Sequence, residues 1–298
     1  METPGLPPPI VPREFPYPAQ SLAVPGGTLA YVDAGAGRPV VLVHGNPTWG
    51  FLWRRVMAAL WGAPVRLLVP DLLGFGRSSK PRALGWHSVE AHGRALDAWM
   101  AALDVQDAVL VVQDWGGPLG CWAAAQGAAS RVTALCLLNT AVVLPARFRG
   151  TAFHRLARLP GVSDIAFRLL GFPLGFLGRA QADRRTISGE VAAAYRWPLR
   201  HFRDRAGPLA LARMVPDGPR HPSVPALQTV ERWVRAFPGP VELVWGRRDP
   251  ILGRALKRHR AALPEARVTE VDAGHFLQEE APEPIALAVR RLAGLPDA

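Results

Sequence analysis

The stretch Ala108-Val-Leu-Val-Val-Gln-Asp-Trp-Gly-Gly-Pro-Leu-Gly120 opens as a continuous apolar run rich in β-branched residues. A run of that kind reads as a strand buried on both faces. It stops at Asp114-Trp-Gly-Gly117, and Pro118 to Gln126, with its small residues, reads as a helix. A strand turning sharply into a helix, with a reactive side chain at the turn, is a nucleophile elbow. Serine between glycines is usual there. Here Asp114 fills the slot and Val112 stands where the first glycine would.

Strand and helix alternate on either side of this elbow. An opening hairpin, Ser21 to Val24 and Thr28 to Asp33, is split by Pro25-Gly-Gly27. Strands follow at Pro39 to Val43, Val65 to Val69 and Val132 to Leu138, with helices at Trp49 to Trp61 and from Ser88 through Leu103. Between about Pro145 and Pro222 no strand is convincing; short helical pieces fall at Ala152 to Leu159, Asp164 to Leu170 and Gly189 to Tyr195. Alternation resumes with helix Pro225 to Ala236, strand Val241 to Trp245, helix Leu252 to Leu263, strand Arg267 to Val271 and helix Pro282 to Leu292. The expected fold is α/β: a mostly parallel eight-stranded sheet with helices on both faces and ligands bound at the carboxyl ends of the strands. The expected organisation is a proline-rich, extended N-terminal arm (1–18), a core (19–144 and 223–298) and a helical cap (145–222) over the strand ends. Phe148, Phe167, Phe172, Phe176 and Leu177 are candidates to line the pocket beneath it.

Composition excludes several function classes. The chain has 298 residues, 49% of them hydrophobic, which suits one domain with an insertion and rules out a disordered chain. The net charge of +11 comes almost wholly from arginine, since Lys80 and Lys257 are the only lysines. No basic run interleaved with aromatics accompanies it, so nucleic acid is not an expected partner. The N-terminus lacks the pattern of a signal peptide, and the longest apolar stretch, Val132 to Leu144, is too short for a membrane span. Cys121 and Cys136, in apolar contexts, read as buried free thiols of a cytoplasmic protein. No phosphate-binding glycine loop follows a strand and no His/Cys ligand cluster is present, so no cofactor and no metal is expected.

A nucleophile at an elbow needs a histidine, and the histidine needs an orienting acid, in that chain order. Asp249 follows the strand Val241 to Trp245, and His275 follows the last strand. Each lies in a loop at the carboxyl end of its strand, on the edge that carries Asp114. The remaining histidines take ordinary readings: His44 bonds locally, and His87, His92, His154, His201, His221 and His259 lie in polar or helical surface contexts. Asp71 fixes its loop. An aspartate, with a reference pKa of about 3.9, is ionised at neutral pH without help and can attack an sp3 carbon in line with a leaving group. His275, held by Asp249, then activates water to cleave the resulting ester. The backbone N–H groups of Trp115 and of the loop after Val43, at Asn46, are placed for the oxyanion. An epoxide would leave as an alkoxide and need a proton donor, and Tyr195 is the only tyrosine in the cap segment. A halide needs only hydrogen-bond donors, and two are offered, the Trp115 indole and the Asn46 amide.

These residues together resemble the haloalkane dehalogenases. The matching stretches are His44-Gly-Asn-Pro-Thr-Trp49, Asp71-Leu-Leu-Gly-Phe-Gly-Arg77, Val111-Val-Gln-Asp-Trp-Gly-Gly117, Asp249 after a strand, and Ala273-Gly-His-Phe276. The resemblance implies an α/β-hydrolase fold and hydrolysis of a small haloalkane by water to an alcohol, a halide ion and a proton. Some members carry the acid after the strand that here ends at Leu138, where this chain has Asn139; others use a cap tryptophan, here only Trp197, as the second halide donor. The combination Asp114–His275–Asp249 with Asn46 and Trp115 is similar to the third commonly described subfamily. An epoxide hydrolase and a non-catalytic relative on the same scaffold are the alternatives.

Overall fold

The computed structural model describes residues 6–128, 130–148 and 152–296. Its centre is an eight-stranded sheet: β1 Gln20–Val24, β2 Gly27–Gly35, β3 Arg38–Val43, β4 Val65–Pro70, β5 Ala108–Asp114, β6 Val132–Thr140, β7 Val241–Gly246 and β8 Arg267–Val271. The spatial order is β1-β2-β4-β3-β5-β6-β7-β8. β1 and β2 pair antiparallel, as does β2 with β4; the other neighbours are parallel. The elbow strand β5 is therefore central, and every residue of it before Asp114 is buried.

Period-two alternation decides which layer each strand residue joins. Leu110 and Val112 of β5, with Val41 and Val43 of β3, pack in one cluster with residues of α3 Val89–Ala102, α4 Gly116–Gln126 and α8 Val224–Arg235. Val109 and Val111, with Val40 and Leu42, pack on the other face with residues of α2 Arg54–Ala59 and α10 Pro282–Leu292. In α8 the buried residues Leu227, Val230 and Val234 repeat at three- and four-residue spacing, the stripe a helix lays on a sheet. Ser88 caps α3, its side chain accepting from the Ala91 N–H.

Two expectations need correction. The N-terminal arm is not extended throughout: α1 Ile10–Glu14 interrupts it, and Ile10, Val11 and Phe15 are buried. Phe15 meets Trp49 and Phe51 edge to face, so apolar contact outweighs the prolines' preference for extended chain. His87, His92 and His259 are buried, not in surface contexts. His87 and His92 hydrogen-bond each other, and His259 accepts from the Val142 N–H, so each imidazole has a partner that allows burial. Residues 1–5 of the arm lie outside the described residues.

Between β6 and α8 the described residues form no strand. They form α5 Ala152–Ala157, α6 Gly189–Arg196 and α7 Ala206–Arg213, with short 3-10 and π turns between them. The His275 N–H donates to the Ala180 carbonyl and the Phe276 N–H to Gln181, which ties this segment to the loop after β8. The last core helix before β8 is α9 Leu256–Ala262. Among the described residues no helix is long and apolar enough to cross a membrane.

Candidate active site

Asp114 ends β5 with φ +50°, a left-handed conformation that costs a non-glycine residue about 1–2 kcal/mol. The Thr140 hydroxyl donates to its carbonyl at 2.6 Å and fixes the turn. Small neighbours make the geometry possible. A Cβ on Gly45 would sit 2.4 Å from that of Asp114, and one on Gly116 would sit 2.3 Å from the Val43 carbonyl oxygen. The elbow therefore pushes the carboxylate against the loop after β3, where the Asn46 N–H donates to Oδ1 at 2.7 Å.

The other oxygen faces the histidine. His275 Nε2 is 3.5 Å from Asp114 Oδ2, and its Nδ1 is 2.9 Å from Asp249 Oδ2. Asp249 Oδ1 accepts from the N–H groups of Ile251 and Leu252, so its second oxygen is turned toward the imidazole. His275 and Asp249 are buried, and Asp114 is partly open. Burial alone would lower the His275 pKa; the carboxylates of Asp249 and Asp114 reverse this and push it up to about 10. The three residues expected to act together are thus brought together in the expected order.

Asn139 and Gln113 were not singled out for this site by sequence. Asn139 Oδ1 accepts from the Gly246 N–H at 2.8 Å, and its Nδ2 donates to the Gly274 carbonyl at 2.9 Å. It clamps the loop carrying Asp249 to the loop carrying His275. Gln113 Nε2 donates to the His275 carbonyl at 3.2 Å and lies 3.3 Å from its Nε2. Asp71 does fix its loop: Oδ1 accepts from the Gly50 N–H and Oδ2 from the Arg77 N–H. His44 bonds the adjacent Gly45 carbonyl, as expected, but its Nε2 also accepts from the Leu72 N–H in the loop after β4, a contact distant in sequence.

A cavity of about 340 Å3 opens above Asp114. Asn46, Trp115 and His275 line it from the strand ends, and Phe172, Phe176 and Leu177 line it from the helical segment. Phe148 lines a second chamber that also touches Asp114. Phe167 lines neither; it is buried in a satellite core with Ala157, Leu209 and Ala212. The Trp115 indole N–H donates to no acceptor among the described residues, while Asn46 Nδ2 donates to the Pro208 carbonyl at 3.1 Å, one of its two hydrogens remaining. Asn46 N–H reaches Asp114 Oδ1, but the Trp115 amide makes no hydrogen bond to that oxygen.

His154 departs from its expected surface context. It lines both chambers, and burial, countered by Asp114 and reinforced by Arg158, pulls its pKa down to about 4, so it is neutral at pH 7. Nothing local in the sequence marks it, because its position depends on how the helical segment folds over the sheet. Tyr195 lines neither chamber. Its hydroxyl donates to Glu279 Oε1, and its ring meets Phe51. Cys121 and Cys136 are free and buried, and burial pushes both thiols up. Among the described residues no group of His, Cys, Asp or Glu is placed to hold a metal ion.

The sequence matches the alpha/beta hydrolase fold family over residues 38–282. A haloalkane dehalogenase of Mycolicibacterium paratuberculosis is 34% identical over 258 residues, 84% of this chain and 82% of that protein. Haloalkane dehalogenase 1 of Mycobacterium bovis is 36% identical over 81% of this chain and 79% of its own. Among solved structures, haloalkane dehalogenase DatA of Agrobacterium tumefaciens superposes with a TM-score of 0.83 at 30% identity, covering 94% of this chain and 97% of that one. With the sheet order, the elbow and these relatives in agreement, the chain belongs to the haloalkane dehalogenases, hydrolases of carbon–halide bonds built on the α/β-hydrolase fold.

Proposed function

We propose that the protein converts a haloalkane and water to an alcohol, a halide ion and a proton through an alkyl ester on Asp114. The observation that carries this reading is the pair of contacts on one carboxylate: Asn46 N–H on Oδ1 at 2.7 Å, and His275 Nε2 3.5 Å from Oδ2. An oxygen of Asp114 attacks the sp3 carbon, the carbon–halogen bond breaks, and the halide leaves with its electron pair toward the Trp115 indole N–H and the remaining Asn46 Nδ2 hydrogen. His275 takes a proton from water, whose oxygen adds to the ester carbonyl carbon. The negative charge gathers on the oxygen bonded by Asn46 N–H, with Trp115 N–H as the proposed second donor. Collapse breaks the bond from the carbonyl carbon to the alkyl-bearing oxygen, and the His275 imidazolium protonates that leaving oxygen to give the alcohol. The regenerated Asp114 carboxyl loses its proton to solvent; Asp249 orients His275 and stabilises the imidazolium.

Ester formation also retunes the base. Asp114 loses its charge on alkylation, so two of the influences holding the His275 pKa high disappear. The imidazole then yields its proton more readily in the half-reaction that needs a base. The described residues between 145 and 222 act as a cap that shields the pocket from water, a role supported by the placement of Phe172, Phe176 and Leu177 in its lining.

Turnover of epoxides by the same aspartate finds no support here, because the Tyr195 hydroxyl is committed to Glu279. The test is bromide and chloride release from a haloalkane panel run beside diol formation from an epoxide panel. Halide release abolished by Asp114→Ala is the expected result; diol formation without halide release would replace this reading with the epoxide one.

A further inference from the structure

Two chambers meet at Asp114. The second, about 210 Å3, is reached past Trp115 and His154 and is walled by residues of the loop after β6, α8 and α9. Much of that wall is apolar, Val143, Leu144 and Leu227 among it, yet Arg258 and Arg147 also line it. Apart from Asp114, no carboxylate does.

Arg258 is half-buried and only partly satisfied. Its Nε donates to the Val143 carbonyl at 2.7 Å; its two terminal nitrogens donate to no acceptor among the described residues. The carboxylate whose field reaches it is Glu231, and that group is engaged elsewhere: Oε1 accepts from Arg235 and Oε2 from the Leu144 N–H. Partial burial, countered by Glu231, holds the Arg258 guanidinium below its ordinary pKa. Arg147 stands exposed at the rim and makes no ion pair among the described residues. Arg258 lines a chamber that also reaches the nucleophile, and a guanidinium whose two terminal nitrogens have no acceptor among the described residues matches the planar two-oxygen face of a carboxylate.

We propose that the second chamber is a subsite for a carboxylate borne by the substrate, with Arg258 as its two-pronged partner and Arg147 at the entrance. The proposal rests on Asp114 as nucleophile and narrows the substrate class to alkyl halides carrying a remote carboxylate. The reacting carbon lies over Asp114, where the chambers join, and the chain runs into the second chamber until its acid meets Arg258. The departing halide is also an anion, so the rival use of this chamber is as its way out.

The test compares kcat/KM for bromide release from ω-bromoalkanoates, bromobutanoate to bromooctanoate, with that for their methyl esters. It also measures binding of unreactive hexanoate by calorimetry. A charge-assisted bidentate contact predicts an acid-over-ester preference of about tenfold or more at one chain length, weakening with added salt. Arg258→Met should remove that preference and weaken hexanoate binding about tenfold, and Arg258→Lys should restore part of both. Equal turnover of acid and ester, with hexanoate bound alike by the native protein and Arg258→Met, overturns the proposal. So does an Arg258→Met protein with altered bromide inhibition but an intact acid preference, the mark of a halide exit. If neither acid nor ester releases bromide, the nucleophile assignment fails, and hexanoate binding still decides the subsite.

Discussion

His275 Nε2 lies 3.5 Å from Asp114 Oδ2, close enough for the carboxylate's charge to act directly on the imidazole. Together with the nearer Asp249, it outweighs burial and raises the His275 pKa from the ordinary 6.5, up to about 10. Once Asp114 is esterified, the midpoint should fall. In single-turnover experiments the hydrolysis of the ester should accelerate with pH along a titration centred below 10; a midpoint unchanged at about 10 would mean that Asp114 does not govern the base.

The same coupling links stability to pH. A folded-state pKa raised above the unfolded value stabilises the fold fully below about pH 6.5, and that contribution is lost as pH rises toward 10. Urea midpoints of the native protein should decline over this window. In His275→Phe the decline should be shallower, because the titrating group is gone.

The two proposed halide donors can be separated. Removing a hydrogen bond to a charged group costs about 1.5–3 kcal/mol, so Trp115→Phe should lower kcat/KM for bromoalkanes by roughly tenfold to a hundredfold. Asn46→Ala should do at least as much, and it also strands the Pro208 carbonyl. Steady-state halide release, with bromide binding followed by tryptophan fluorescence, measures both.

Asn139 is expected to position rather than react. Asn139→Asp sets a carboxylate oxygen against the Gly274 carbonyl in place of the amide donor. It should lower kcat about tenfold or more with little change in KM, since a buried acceptor left unpaired costs about 1–3 kcal/mol. A rise in kcat would instead mean that a carboxylate at this position serves His275 as well as Asp249 does.

A stability prediction lies away from the pocket. Arg54 forms a two-pronged ion pair with Glu279, both side chains nearly inaccessible, and Glu14 is its other acidic partner. Glu279→Ala strands a buried guanidinium and releases the Tyr195 hydroxyl. Loss of about 3–5 kcal/mol is expected in equilibrium unfolding.

The strands and the strand-end residues were readable because each depends on a local pattern. The run Ala108–Val112, the Asp-Trp-Gly-Gly turn and the loops at Asp249 and His275 need only period, turn chemistry and chain order. The arm and the helical segment were not, because there contacts distant in sequence outweigh propensity. Phe15 is drawn into a helix end by Trp49 and Phe51, Phe167 is taken into its own small core, and His154 reaches both chambers only once the segment has folded over the sheet. In the sequence Asn139 marks only the absence of an acid after β6. Its clamp across the Asp249 and His275 loops is visible only when β6, β7 and β8 are laid side by side.

The most direct measurement is the intact mass and peptide map of His275→Phe after incubation with 1-bromobutane. With the base removed but the nucleophile intact, the protein should gain one butyl group in place of a hydrogen, carried on the peptide containing Asp114, with one equivalent of bromide released. An unmodified protein, or a butyl group on any other residue, would contradict a covalent ester at Asp114.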